Sequence, residues 1–162
     1  MADIKDFSSD SGFEEKIIQV NRVSKKTKGG NKIGFSVLMV VGDKKGKVGV
    51  GLGKAPDVSL AIKKGIAAAK KHLIEVPIIR GTIPFKTNIK LGAAKILLKP
   101  APPGSGVIAG GAVRSVVTAA GIENISSKVL GTNNQASNVY ATLEALAGLA
   151  KRYNKIVAKD KE

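Results

Sequence analysis

Glycines beside a lysine, glycines ahead of a helix, and one histidine are the groups here whose types and spacing could do chemistry. Gly49, Gly51 and Gly53 precede Lys54, as in a phosphate-binding loop. That loop requires a glycine five residues before its Gly-Lys pair, where Val48 stands, and a Ser or Thr to hold the metal, where Ala55 stands. Glycine inside a strand more often marks the close approach of another backbone. Gly104-Ser105-Gly106-Val107-Ile108-Ala109 fits the G-x-G-x-x-A dinucleotide fingerprint, with Glu123 about twenty residues on. The fingerprint should follow a strand directly, whereas Pro100, Pro102 and Pro103 intervene. A helix N-terminus touching an RNA phosphate or a protein neighbour fits this stretch better. His72 is the single histidine and lies beside Lys70 and Lys71, as a surface residue would. Asp43, Asp57, Glu75, Glu123 and Glu144 are scattered, and Ser24, Ser36 and Ser105 have no base at a recognisable spacing. With no cysteine in the chain, thiolate metal sites and disulfides are excluded. The expectation is a protein without catalysis, cofactor, metal or small-molecule substrate.

What is abundant is positive charge. The chain carries 27 Lys and Arg against 12 Asp and Glu, a net charge of +15. A charge that large repels itself and makes sense beside a polyanion. It is also uneven. Residues 1–15 hold five acids and one lysine, while residues 16–75 hold fourteen cations and three acids. The densest stretch is NRVSKKTKGGNK, with Arg22, Lys25, Lys26, Lys28 and Lys32 around Gly29-Gly30. The longest apolar run, Val37–Val41, is far too short to span a bilayer, and the 58–73 segment lacks the bulky anchors of a membrane-surface helix. The acidic opening MADIKDFSSDSGFEE is unlike a secretory signal, so the expected compartment is cytoplasmic. Aromatic residues make up only 4%, too few for a platform that stacks a run of bases. Lysines and arginines on loops and one helix face suit the phosphates and shape of structured RNA.

The elements that must position these charges form two units. FEEKIIQVNRV, KIGFSVLMVVG and GKVGVGLG read as three antiparallel strands, the last two joined by the turn DKKG. Asp57 stands at the N-cap of a helix whose Val58, Ile62, Ile66, Ala69 and Leu73 share an apolar stripe, and Pro77 closes the unit. In the second unit, VPIIRGTIPF and NIKLGAAKILLKP predict a hairpin or two neighbouring strands. PAPPGSGVIAGG leads into the short helix AVRSVVTAAG, closed by Gly121; NISSKVLG is a strand and NQASNVYATLEALAGLAKRY a closing helix. The predicted division is an acidic flexible tail over 1–12, domains over 13–77 and 78–153, and a frayed basic tail over 154–162.

Residues 20–62 (VNRVSKKTKGGNKIGFSVLMVVGDKKGKVGVGLGKAPDVSLAI) resemble the signature region of the bacterial small-subunit ribosomal protein S-five family. Residues 104–134 (GSGVIAGGAVRSVVTAAGIENISSKVLGTNN) resemble its second domain, and the likeness covers 13–153. The resemblance implies an α+β fold of two small domains. The first would be a double-stranded-RNA-binding-like β-β-β-α domain, the second a β-α-β-α domain with a left-handed crossover. It implies a structural constituent of the small subunit that binds ribosomal RNA, supports assembly and decoding fidelity, and neighbours proteins S-four and S-eight. It also implies a position near messenger entry and the spectinomycin site. Carried over by residue, Arg22, Ser24, Lys25, Lys26, Lys28, Gly29, Gly30 and Lys32 match the basic loop, with Arg22 also facing messenger RNA. Lys54, Lys63 and Lys64 match basic positions around the first helix. Gly104, Gly106, Gly110 and Gly111 match a glycine turn that contacts protein or RNA, and Arg114 a position on the S-four side. Asn31 stands where the family usually carries Arg or Lys. The charge-crowded loop is expected to be poorly ordered without RNA. Two rivals stand beside this reading. One is a general duplex-RNA binder or RNA chaperone. The other, suggested by PPGSGVIAGGA, is a fragment of a phosphate-loop kinase, which would need a magnesium carboxylate and a substrate lobe.

Overall fold

The computed structural model describes residues 12–159. All but Gly12 of the predicted acidic tail, and residues 160–162, lie outside them. Strands β1 (Glu14–Thr27), β2 (Gly30–Gly42) and β3 (Lys47–Ala55) form an antiparallel meander, and helix α1 (Val58–Lys71) packs on it. A two-residue strand, β4 (Ile74–Glu75), then pairs with the start of β3, an addition too short to show in a hydrophobic pattern. The second unit contains β5 (Thr87–Leu91), β6 (Ala94–Pro100), β7 (Val107–Ile108), α2 (Gly111–Ala120), β8 (Ile125–Val129) and α3 (Gln135–Lys159). Its sheet runs in the order β5-β6-β8-β7, with β7 and β8 parallel and joined through α2. The architecture is α+β, with a helix-covered antiparallel sheet followed by a mixed sheet.

α1 sits far closer to its sheet than an ordinary helix. A Cβ on Gly51 would stand 2.1 Å from the Gly65 carbonyl oxygen, and one on Gly53 1.9 Å from that of Ala61. The glycines of β3 are therefore there for backbone approach, and α1 covers the places where a phosphate would have to enter. This contact also moves the helix's core stripe. Its buried residues are Ala61, Gly65 and Ala69, with Ile62 and Ile66 packing from one side, while Val58 is only half-buried. Small residues take the centre because the glycine strand leaves no depth for large ones. Asp57 holds the predicted N-cap position but makes no side-chain capping bond.

The opposite face of the first sheet is covered by the second unit. Leu38, Val40, Val48 and Val50 share one cluster with Val113, Val116, Val117, Ile122, Ile125, Val139 and Leu146. The seam is joined through backbone. The amides of Lys44 and Gly46, in the turn after β2, donate to the Ala119 and Ala120 carbonyls at 3.1 and 2.9 Å. These are end-of-helix carbonyls of α2, which have no partner within the helix itself. Gly121 closes α2 in the left-handed conformation, φ 88°, as predicted. A Cβ there would lie 2.1 Å from the Lys44 oxygen, and one on Gly42 the same distance from that of Ala119.

Two further expectations change. The hairpin of the second unit is Thr87 together with NIKLGAAKILLKP, as β5 and β6, while VPIIRGTIPF makes a turn bridged once, Ile79 to Thr82, with Arg80 at φ 51°. The supposed frayed tail is helical to Lys159. Leu146, Leu149, Tyr153 and Val157 keep helical spacing, and no Gly or Pro after Tyr153 stops the helix.

Candidate nucleic-acid interface

The basic stretch is a regular ribbon. β1 and β2 stay paired from Gln19↔Leu38 to Thr27↔Gly30, past a bulge between Ile17 and Gln19. Lys28 and Gly29 form the turn, Gly30 takes φ 131°, and the Thr27 hydroxyl donates to the Gly30 carbonyl at 2.8 Å. The expected disordered loop is thus backbone-paired to its tip, although every residue from Val20 to Ile33 is exposed. A two-stranded ribbon with nothing packed beneath it is marginal in water. Amide exchange on the free protein should accordingly show protection rising stepwise from Thr27–Gly30 towards Val37–Val41. Uniform strong protection along β2 would contradict this.

Strand alternation distributes the cations. Arg22, Ser24 and Lys26 lie opposite Phe35, Ile33 and Asn31, on the face that carries α1 further down. Lys25 lies opposite Lys32 on the other face, and the β2–β3 register places Lys54, opposite Ser36, on that face too. Like charges directly opposite in a sheet are destabilising. Asn31 has a clear consequence, because a cation there would create a second such pair with Lys26. Among the described residues, no carboxylate lies within ion-pair distance of Arg22, Lys25, Lys26, Lys28 or Lys32; the ion pairs formed are Lys44–Glu14 and Lys70–Glu15. Lys63 and Lys64 are exposed on α1, whereas Lys70 is drawn to Glu15 at 3.3 Å and stands over the Phe13 ring. The exposed lysines of α1 are therefore Lys63, Lys64 and Lys71.

The glycine turn belongs to the other sheet. Gly104 and Gly106 take φ 86° and 69°, ahead of β7 rather than after a strand, so the dinucleotide geometry is not formed. Gly110 is the N-cap of α2 without a side-chain cap; Gly111 begins the helix, and Arg114 is exposed one turn in. What holds this turn was not legible in the chain. Buried Asn124 accepts the Gly106 amide on Oδ1 at 3.1 Å, and its own carbonyl accepts the Thr82 hydroxyl at 2.6 Å. Thr82 Oγ1 in turn accepts the Ala101 amide at 3.2 Å. Nothing in the spacing of Thr82 and Asn124, 42 residues apart, signals this pairing. Asn124→Ala should cost about 1–3 kcal/mol, the penalty for a lost hydrogen bond at a buried group. Asn124→Asp, which keeps the acceptor, should melt closer to the parent protein.

The arrangement is thus a β-β-β-α unit whose ribbon cations have no ion-pair partner among the described residues, followed by a helix-spanned mixed sheet. Residues 13–77 match the family model for ribosomal protein S5, N-terminal domain, and residues 89–159 that for ribosomal protein S5, C-terminal domain. The chain belongs to the ribosomal protein S5 family. Among its relatives, the small ribosomal subunit protein uS5 of Thermotoga maritima is 53% identical over 137 residues, covering 85% of this chain and 77% of the relative. That of Chloroflexus aurantiacus is 49% identical over 148 residues, 91% of this chain and 83% of the relative. The uS5c protein of Pyropia yezoensis is 52% identical over 141 residues, 86% and 81% of the two chains. S5 proteins are structural ribosomal proteins and not enzymes, in keeping with scattered carboxylates and no poised base.

Proposed function

We propose that this S5 protein is a constituent of the small ribosomal subunit and holds ribosomal RNA through the β1–β2 ribbon. The observation that carries the reading is Lys25 directly opposite Lys32 on an exposed ribbon, with no carboxylate in reach among the described residues. Such a pair is unfavourable in the free protein and becomes favourable when phosphates lie between and beside the two side chains. Because alternation sends Arg22 and Lys26 to one face and Lys25, Lys32 and Lys54 to the other, the ribbon suits insertion between two RNA segments rather than docking on one. Lys63 and Lys64 extend the phosphate contacts along α1. Arg22 faces messenger RNA near its entry, and the Gly29-Gly30 turn lies by the spectinomycin site. Gly104, Gly106, Gly110 and Gly111 form a turn that meets protein or RNA, and Arg114 lies on the side of S-four, through which the protein influences decoding fidelity, while S-eight is a further neighbour and the protein supports assembly. The compartment is the cytoplasm; no described helix is long and apolar enough to cross a membrane.

The test is sedimentation of lysate from cells expressing a tagged copy, followed by a salt wash. Retention on small subunits at about one copy each is expected, since many phosphate contacts together with shape-specific docking withstand salt that strips contacts made by charge alone. Release by the wash, or spread over all RNA, would replace this reading with that of a general duplex-RNA binder.

A further inference from the structure

β3 ends at Ala55, opposite Phe35, so from Gly34 outward the second edge of β2 has no strand beside it. A notch of about 300 Å³ opens there, lined by Val23, Ile33, Gly34 and Phe35 and flanked by Lys32 and Lys54. Val23 and Ile33 are 43% and 41% exposed; Val23 lies on the face of Lys32 and Lys54 and Ile33 with Phe35 on the face of α1, so the notch spans the open strand edge rather than one face of the ribbon. Gly34 keeps the floor open, since a Cβ there would come within 3.3 Å of the Ala55 oxygen. The volume lies at the lower end of small-ligand sites, about 300–1,000 Å³, which leaves room for one planar group rather than several.

We propose that this notch takes a single unstacked RNA nucleobase, with Lys32 and Lys54 holding the phosphates on either side of it. This rests on the RNA-binding reading above and adds which RNA feature the ribbon base selects. Three properties fit one occupant. The apolar walls and half-buried Phe35 match the face of a base. The open β2 edge supplies backbone groups for its hydrogen-bonding edge, as in recognition of splayed-out nucleotides. The two lysines on the rim complement the charges that accompany a nucleotide and would accompany no apolar peptide. A single aromatic ring suits one extruded base and not a run of stacked ones.

The experiment compares two RNA duplexes of equal length and charge, one continuous and one with a single-nucleotide bulge, by fluorescence anisotropy with the full chain at low salt. The bulged duplex is expected to bind about tenfold more tightly, the effect of stacking one base. A 2-aminopurine placed in the bulge should change its emission on binding. Val23→Trp, which fills the notch, and Ile33→Ser, which removes a wall, should each bring the bulged duplex to the affinity of the continuous one, which itself stays unchanged. Both positions are exposed, and an unchanged melting temperature confirms that the variants fold. Equal affinity of the parent protein for the two duplexes overturns the inference and leaves the RNA-binding reading standing. Retained preference in both variants also overturns it, by placing the base elsewhere. Failure to bind either duplex overturns both readings.

Discussion

Gly51→Ala is expected to destabilise the protein by about 3 kcal/mol, at the upper end of what overpacking costs, and to lower its melting temperature by roughly 6–12 °C. The added methyl would stand 2.1 Å from the Gly65 oxygen and 2.5 Å from the Ala69 nitrogen. Both obstacles are helix backbone, so no side chain can rotate away to make room. The structure can respond only by lifting α1 from β3, and this opens the cluster of Val37, Met39, Ala55 and Ala61 along its length. Gly29→Ala is the matched control, since a Cβ there meets nothing within 4 Å; thermal melts of the two variants decide the matter. Equal melting temperatures for Gly51→Ala and the parent would mean that α1 is not seated on the glycine strand. They would also reopen the question of what Gly49, Gly51 and Gly53 are for.

Replacing Arg22, Lys25, Lys26, Lys28 and Lys32 together by glutamine should separate binding from stability. If each cation neutralises one phosphate, the dependence of log affinity on log salt should flatten by about 3.5–4.5, and affinity should fall roughly 100–1,000-fold at moderate salt. The fold should be unharmed. These side chains are exposed and have no carboxylate partner among the described residues, and removing the Lys25–Lys32 repulsion is worth about 0.2–1 kcal/mol in the stabilising direction. The informative combination is therefore a large loss of RNA affinity with a melting temperature equal to or above the parent's. Unchanged affinity would remove the ribbon from the interface. A collapsed melting temperature would mean that the cations serve the fold, against the geometry described above.

The two variants act on opposite kinds of glycine and charge, and the sequence distinguishes them only in part. Gly29-Gly30 among five cations is legible as a turn at a polyanion surface, because composition and turn chemistry are local. Gly121 is legible as a helix end for the same reason, and the glycines of β3 can be read as places of close backbone approach. Which backbone approaches them is not legible, since it depends on Gly65 and Ala61 arriving from a helix that folds back over the strand.

By itself, then, the sequence determined the three strands and α1, the short helix, strand and closing helix that end the second unit, the site of excess charge and the scatter of the carboxylates, but not β4 or β7. All of these follow from short-range periodicity, capping and turn residues, or from charge counts. Only the tertiary structure decided the rest. It set Lys25 against Lys32 and Lys26 against Asn31 through the two-residue turn at Lys28-Gly29, and then shifted the register at a bulge near Ile17 that no local pattern announces. It joined Thr82 to Asn124 across 42 residues and set the Lys44 and Gly46 amides on the end of α2. It also merged the two units through one apolar cluster. The last three are contacts between residues far apart in the chain, whose hydrogen bonds and van der Waals distances exist only once the backbone has folded to bring them within reach.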